Sequence, residues 1–225
     1  MAGRYFLFSP PDVVAAHFGL AAIGDFPPRY NIAPTQPVGV VRGGRDGPEF
    51  VLMRWGFLPA FAKEISGRPL INARAETVAE KPSFRAAFRR RRCLVPADGF
   101  YDWTLDDDRT PHAVRPRAGG LVGFAGIWED WMGPDGSELS ACAILTVNSG
   151  PDTEHLHLRE PAVIAPEDYA LWLHADETMV EAVRPLPRPS VAEFWDVYEV
   201  SRDVGAVRND HSTLIAPAAK QTDLF

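Results

Sequence analysis

Few side chains in this 225-residue sequence stand at the spacings that catalysis ordinarily requires. It contains no phosphate-cradling glycine loop, no G-x-G-x-x-G, no G-x-S-x-G, no C-x-x-C and no H-E-x-x-H. His155 and His157 are two apart, which places them on one face of a strand or on different faces of a helix. As a metal pair they lack an obvious third ligand nearby, and neither a metal nor a cofactor is expected. Cys93 and Cys142 lie in apolar, strand-like runs and are expected as buried, inert thiols. The run Arg89-Arg90-Arg91-Arg92 reads as a solvated helix end whose charge complements the helix dipole. Arginine outnumbers lysine 20 to 3. Planar guanidinium forks suit phosphates and base stacking, although a GC-rich coding sequence would produce the same bias.

The net charge of −7 argues against a broad nucleic-acid-coating surface but leaves room for a narrow basic groove. The apolar fraction, 46%, is enough for a packed core. No apolar run reaches the ~18 residues of a membrane span. The opening residues do not read as a secretory signal. Two cysteines do not make a disulfide framework, so a cytoplasmic protein with reduced thiols is expected, and a monomer.

The elements that must position any site are short, because 21 prolines are scattered through the chain. Ser9-Pro10-Pro11-Asp12 ahead of Val13–Phe18 reads as a capped helix. Residues 38–42 and 49–55 read as a hairpin across the loop holding Gly43, Gly44 and Gly47. Pro82 opens a helix through about Arg91, with Phe84 and Phe88 one turn apart. Residues 92–104, 111–116, 121–128 and 139–147 read as strands. Helices follow over 166–174, with Pro166 at its first position, and about 176–183, then a strand over 194–200. Most connections are too short for crossover helices. The expected fold is therefore α+β: one domain over residues 1–225, with a mixed, largely antiparallel, barrel-like sheet core, peripheral short helices and a loose tail from about 216.

Seven separated segments together resemble one family. Met1-Ala2-Gly3-Arg4-Tyr5 is similar to an M-C-G-R-[FY] start. Arg29-Tyr30-Asn31-Ile32-Ala33-Pro34 resembles R-[YF]-N-[IV]-A-P, Arg54-Trp55-Gly56-Phe57-Leu58-Pro59 resembles W-G-[LYF]-x-P, and Asn72-Ala73-Arg74-Ala75-Glu76-Thr77 resembles N-A-R-x-E-T. The run from Cys93 to Trp103 is similar to C-[LI]-[IV]-P-A-D-G-[FW]-[YF]-E-W. His157-Leu158-Arg159-Glu160-Pro161 stands where the pattern has H-x-R-M-P, and Val204–Asp210 resembles a closing V-[NG]-x-x-[RK]-N block. In this order they resemble the SOS-response-associated peptidases, or abasic-site processing proteins. The resemblance implies a single α+β domain with a groove for single-stranded DNA carrying an abasic site.

An abasic site is a masked aldehyde, and a neutral primary amine attacks an aldehyde to give an imine. A free α-amino group suits this, because a pKa near 8 leaves about a tenth of it neutral at pH 7. In the family an N-terminal cysteine adds its thiol to the same carbon, and the resulting thiazolidine is durable. The resemblance implies that Asn72 orients the N-terminal residue or the sugar. It puts the family's acid/base glutamate at Asp102 and makes His157 a proton handler near its operating pH. It implies that Arg4, Arg74, Arg159 and Arg208 hold phosphates, and that Trp55 and Phe57 stack on or beside a base. Trp103 is expected in the core.

The chain departs from the pattern at three positions. Ala2 has no thiol, so no thiazolidine can form there. Asp102 reaches one methylene less than glutamate. Glu160 replaces a residue that is usually apolar and is expected to add negative charge beside the phosphate site. Three readings stay open: a replaced nucleophile on an otherwise active protein, a natural member limited to DNA binding and a reversible imine with weak lyase action, and a catalytically retired protein-interaction module. Trimming of Met1 decides whether Ala2 offers an amine or an unreactive amide.

Overall fold

The run from residue 92 to 104 is expected as one strand, but it is two, and the break builds the molecule. In the computed structural model, which describes residues 3–65 and 69–218, β6 (Arg92–Ala97) belongs to one sheet and β7 (Gly99–Trp103) to the other. Asp98 sits at the switch. Its carboxyl accepts from the Phe8 N–H at 2.7 Å, the Ser9 N–H at 2.8 Å and the Ser9 hydroxyl at 2.6 Å. Gly99 is required by close approach: a Cβ there would lie 2.3 Å from the Val114 carbonyl oxygen and 2.5 Å from the Phe6 ring.

The remaining strands, in chain order, are β1 (Arg4–Leu7), β2 (Arg29–Ile32), β3 (Pro37–Gly43), β4 (Pro48–Trp55), β5 (Asn72–Arg74), β8 (Pro111–Pro116), β9 (Val122–Met132), β10 (Glu138–Asn148), β11 (Arg159–Pro161), β12 (Val163–Ile164) and β13 (Trp195–Glu199). The smaller sheet runs β13-β8-β7-β1-β2. The larger runs β11-β10-β4-β3-β6-β9-β12, with β5 also on β10. Its long strands β9 and β10 pair directly as well, so the sheet curls into a ring without forming a closed barrel. Pairing is antiparallel except where β10 meets β4 and β5. The fold is α+β, as expected.

The main core lies between the sheets. From the smaller sheet Tyr5, Leu7, Phe100 and Val114 face it, while Phe6, Tyr101 and Ala113 point the other way, under Val200, Val204 and Leu214. Alternation therefore puts Asp102 and His112, which are directly paired on β7 and β8, on the core-facing side at its rim.

The first helix starts two residues earlier than its pattern, and the later ones are shorter than theirs. Helix α1 (Pro11–Phe18) has proline at its start and a left-handed Gly19 at its end, but no side-chain cap, because its N-cap position is Pro10; Ser9 donates instead to Asp98. Helix α2 is Arg85–Arg90, α3 is Tyr169–His174 and α4 is Val180–Val183; the last two each follow a 3-10 turn. Among the described residues no helix is long and apolar enough to cross a membrane.

The arginine run is also corrected in part. Arg92 is buried, and its guanidinium donates to the carbonyls of Phe88 (2.6 Å), Arg89 (2.9 Å), Trp172 (2.7 Å) and Ala175. It thus ties together the C-terminal ends of α2 and α3, where carbonyls lack helical partners. Cys93 and Cys142 are fully buried, and burial raises both thiol pKa values, that of Cys142 to about 12.

Candidate active site

The loop between β10 and β11 presents His157, and its shape is set by local hydrogen bonds. The Ser149 hydroxyl donates to the His157 carbonyl at 2.6 Å, and the His157 N–H donates to the Thr153 carbonyl at 3.3 Å. Below it, Glu160 is 1% exposed. Its carboxyl accepts from the Thr153 hydroxyl at 2.5 Å, the Ser190 N–H at 2.7 Å and the Ser190 hydroxyl at 3.2 Å. Glu160 therefore does not add charge to an exposed phosphate site, contrary to expectation. It is turned inward and pins the base of the loop.

The Arg159 N–H donates to Nδ1 of His157 at 3.0 Å. That bond assigns the neutral imidazole proton to Nε2. Burial lowers the His157 pKa, and the nearby negative charge of Asp102 opposes that shift. The two side chains, 55 positions apart in sequence, are therefore within electrostatic reach across the gap between the sheets. Asp102 is buried, with Oδ1 accepting from the Trp103 N–H at 3.0 Å.

The ladder between β1 and β7 places Arg4 opposite Tyr101, the residue before Asp102. The start of β1 thus runs beside the Asp102 end of β7. Ala2, the expected nucleophile position, lies outside the described residues. Asn72 is half-buried on β5, opposite Ile144 of β10. Thr146 of β10 pairs with Arg74 on one side and Pro161 on the other, so β5 and β11 flank the same end of β10. Asn72 and the His157 loop therefore approach one end of the ring.

The arginines divide into engaged and available groups. Arg159 makes a bidentate pair with Glu76 at 2.7 and 2.8 Å and also bonds Asn148 and the Thr146 carbonyl. Arg4 donates to Asn31 at 2.8 Å and to the carbonyls of Val204 (2.7 Å) and Gly205 (3.1 Å). Both forks thus work inside the fold. Arg74 and Arg208 are exposed.

Trp55 and Phe57, expected to stack on a base, are each 1% exposed and packed in the main core. Trp55 lies edge-on to Tyr5 and donates from Nε1 to the Ile71 carbonyl; Phe57 lies edge-on to Phe84. Their rings are not available to a base. The aromatic exposed on this stretch is Phe61, at 68%, which sequence reasoning did not single out. It borders no matched block, so no pattern marked it. Leu158, between His157 and Arg159, is likewise exposed.

The matched blocks also hold one another. The Asn31 amide donates to the carbonyls of Val204, Ala206 and Asn209. Asp210 accepts from Arg29 at 2.7 Å and from the Tyr30 N–H at 2.5 Å. The second block therefore clasps the last one along the edge of β2.

The family model for the SOS response associated peptidase (SRAP) matches residues 1–207. The abasic site processing protein YoqW of Bacillus subtilis is 35% identical, over 96% of this chain and 99% of its own length. The abasic site processing protein HMCES of Gallus gallus is 30% identical, over 86% of this chain and 67% of its own. A crystal structure of a Bacteroides thetaiotaomicron protein superposes with a TM-score of 0.82 at 21% identity, covering 96% of this chain and 99% of that one, and so shares the fold. This chain belongs to the SOS response associated peptidase family.

Proposed function

We propose that the protein senses abasic sites in single-stranded DNA and, lacking a thiol at Ala2, holds them without a durable crosslink. Two relatives carry the name abasic site processing protein. The observation that carries the reading is the placement of Asp102 at the rim of the core, beside the start of β1, with His157 near enough to feel its charge.

The chemistry follows from those groups. The lesion's ring opens to an aldehyde when the ring oxygen gains a proton and the hydroxyl at C1′ loses one. His157, neutral with its proton on Nε2, donates to oxygen, and Asp102 accepts the proton. A free α-amino group of Ala2 then attacks C1′ and water leaves, giving an imine. Without sulfur the imine remains hydrolysable, and β-elimination from it would make the protein a weak lyase. Asn72 orients the sugar. Arg74 and Arg208 contact phosphates directly, while Arg4 and Arg159 shape the groove from behind.

The test combines binding and trapping. Binding to a single strand should weaken steeply with salt as counterions are released, and borohydride should trap an adduct on abasic DNA only when Met1 has been removed. Ala2→Cys should convert that adduct into one that persists without reductant. A heat-stable adduct formed by the unaltered protein without reductant, or no preference for single strands over duplex, refutes the proposal. The internal engagement of Arg4 and Arg159 favours one alternative, a retired interaction module. That reading requires no strand binding at moderate salt and no effect of Arg74→Ala or His157→Ala on its activity.

A further inference from the structure

Strand β13 is one edge of the smaller sheet. The Val200 N–H donates to the Pro111 carbonyl at 3.0 Å, so antiparallel alternation turns the backbone groups of Tyr198 and Asp196 toward β8 and those of Glu199, Val197 and Trp195 outward. Both ends of that outward row are taken. At one end Pro217 pairs antiparallel with Val200, and the Ala218 N–H donates to the Glu199 carbonyl at 2.8 Å. At the other the Asp152 carboxyl accepts from the N–H groups of Trp195 at 2.8 Å and Glu193 at 3.1 Å. Between them the outward N–H and C=O of Val197 have no partner among the described residues. An unpaired edge is a template for one more strand. Past the Trp195 end lies a cavity of about 410 Å³, walled mostly by apolar side chains that include Leu121, Val163, Pro166, Val191 and Phe194. Val191 is 70% exposed there.

We propose that this chain's own residues 219–225, which lie outside the described residues, pair with β13 and seat Leu224 and Phe225 in that cavity. Direction favours this occupant. With Pro217 opposite Val200 and running antiparallel, the residues that follow are led along β13 toward Trp195 and the cavity. The same register sets Lys220 opposite Val197, where its backbone meets the free N–H and C=O. Its side chain then shares a face with the exposed Glu199. Length agrees as well. Glu199 to Phe194 spans about 17 Å of strand, and Ala218 to Leu224 reaches about 20 Å. Asp152 ends the pairing after Lys220, and the remaining residues carry the apolar pair to the cavity mouth. Composition agrees too, since Leu224 and Phe225 are adjacent and are the large apolar residues of the segment 219–225. The inference is independent of the strand-binding reading, but it bears on the same site. Glu160 and Ser190, whose hydrogen bonds pin the base of the His157 loop, also line the cavity. A seated tail therefore braces that loop.

The experiment uses the full chain and needs no DNA. With the photo-crosslinking residue p-benzoylphenylalanine in place of Phe225, irradiation of dilute protein should give an intramolecular cross-link to residues 161–169 or 188–194, mapped by mass spectrometry. Val191→Asp puts a charge at the exposed lip of the cavity and should abolish that cross-link. Amide exchange is compared in the unaltered protein, in Leu224→Ser/Phe225→Ser and in Val191→Asp. In both variants the Val197 N–H should exchange about tenfold faster or more, as a newly opened local edge does, and exchange over residues 149–158 should quicken with it. Cross-links to other parts of the chain, cross-linked dimers that mark a second copy as the host, or no cross-link at all overturn the proposal. So does Val197 exchange that is equal in all three proteins. None of these results depends on strand binding, so the proposed function and this inference fail separately.

Discussion

Replacing Glu160 separates two accounts of the same residue. If its charge opposed a phosphate, Glu160→Gln would strengthen strand binding. The geometry predicts otherwise, since the carboxyl is 1% exposed and consumed by Thr153 and Ser190. Glutamine keeps an acceptor for the Ser190 N–H and turns an NH2 group toward Thr153. The Thr153 hydroxyl can then rotate to the Gly150 carbonyl, 3.5 Å away. The expected cost is about 1 kcal/mol, the net worth of one hydrogen bond. Glu160→Ala instead orphans a buried N–H and a hydroxyl, at about 3 kcal/mol. For a chain of this length those costs lower the melting temperature by about 3 °C and roughly 6–12 °C. Thermal unfolding and amide exchange over residues 149–158 measure both, and exchange should accelerate there first in the alanine variant. Strand affinity of Glu160→Gln should change little, because the carboxyl is turned inward and its oxygens are taken by Thr153 and Ser190, so it offers no contact to a strand. A several-fold gain in affinity for Glu160→Gln, or equal destabilisation by both substitutions, refutes the argument.

Three further outcomes follow. Phe57→Ala should cost about 3–5 kcal/mol of stability from its buried site, whereas Phe61→Ala, at an exposed ring, should leave the melting temperature unchanged; a melt on each variant separates the two. Arg92→Met should destabilise by about 3 kcal/mol, since four carbonyls lose their donor while the cost of burying a guanidinium is recovered, and a denaturant midpoint equal to that of the unaltered protein would contradict the double-capping role. His157 has a folded pKa below its ordinary value of 6.5 because of burial, so the folded state favours the neutral ring. Its contribution to stability is complete above about pH 6.5 and declines as pH falls through that value toward the folded pKa. His157→Gln should therefore flatten the loss of stability between neutral and mildly acidic pH; His17, also lowered by burial, continues to titrate in that variant.

What could be read along the chain was local or cumulative. Proline at the first positions of α1 and of the turn before α3, the glycine-rich turn of the hairpin formed by β3 and β4, and the ordered blocks all act through neighbours in sequence or through repeated agreement. They were enough for the α+β class and the family. What the tertiary structure decided depended on partners far away in the chain. No pattern tells that Asp98 and Gly99 send one apolar run into two sheets, because the cause is Phe8, Ser9, Phe6 and Val114 closing around them. Nor does a motif tell an aromatic in the core from one in solvent, and so Trp55 and Phe57 were expected at a surface although both lie in the core. The same holds for charge. Arg4, Arg92, Arg159 and Glu160 have the residue types of exposed ligand contacts, yet each is engaged by carbonyls or side chains brought in by the fold. A residue's type sets what it can bind; packing across the two sheets sets which partner reaches it first.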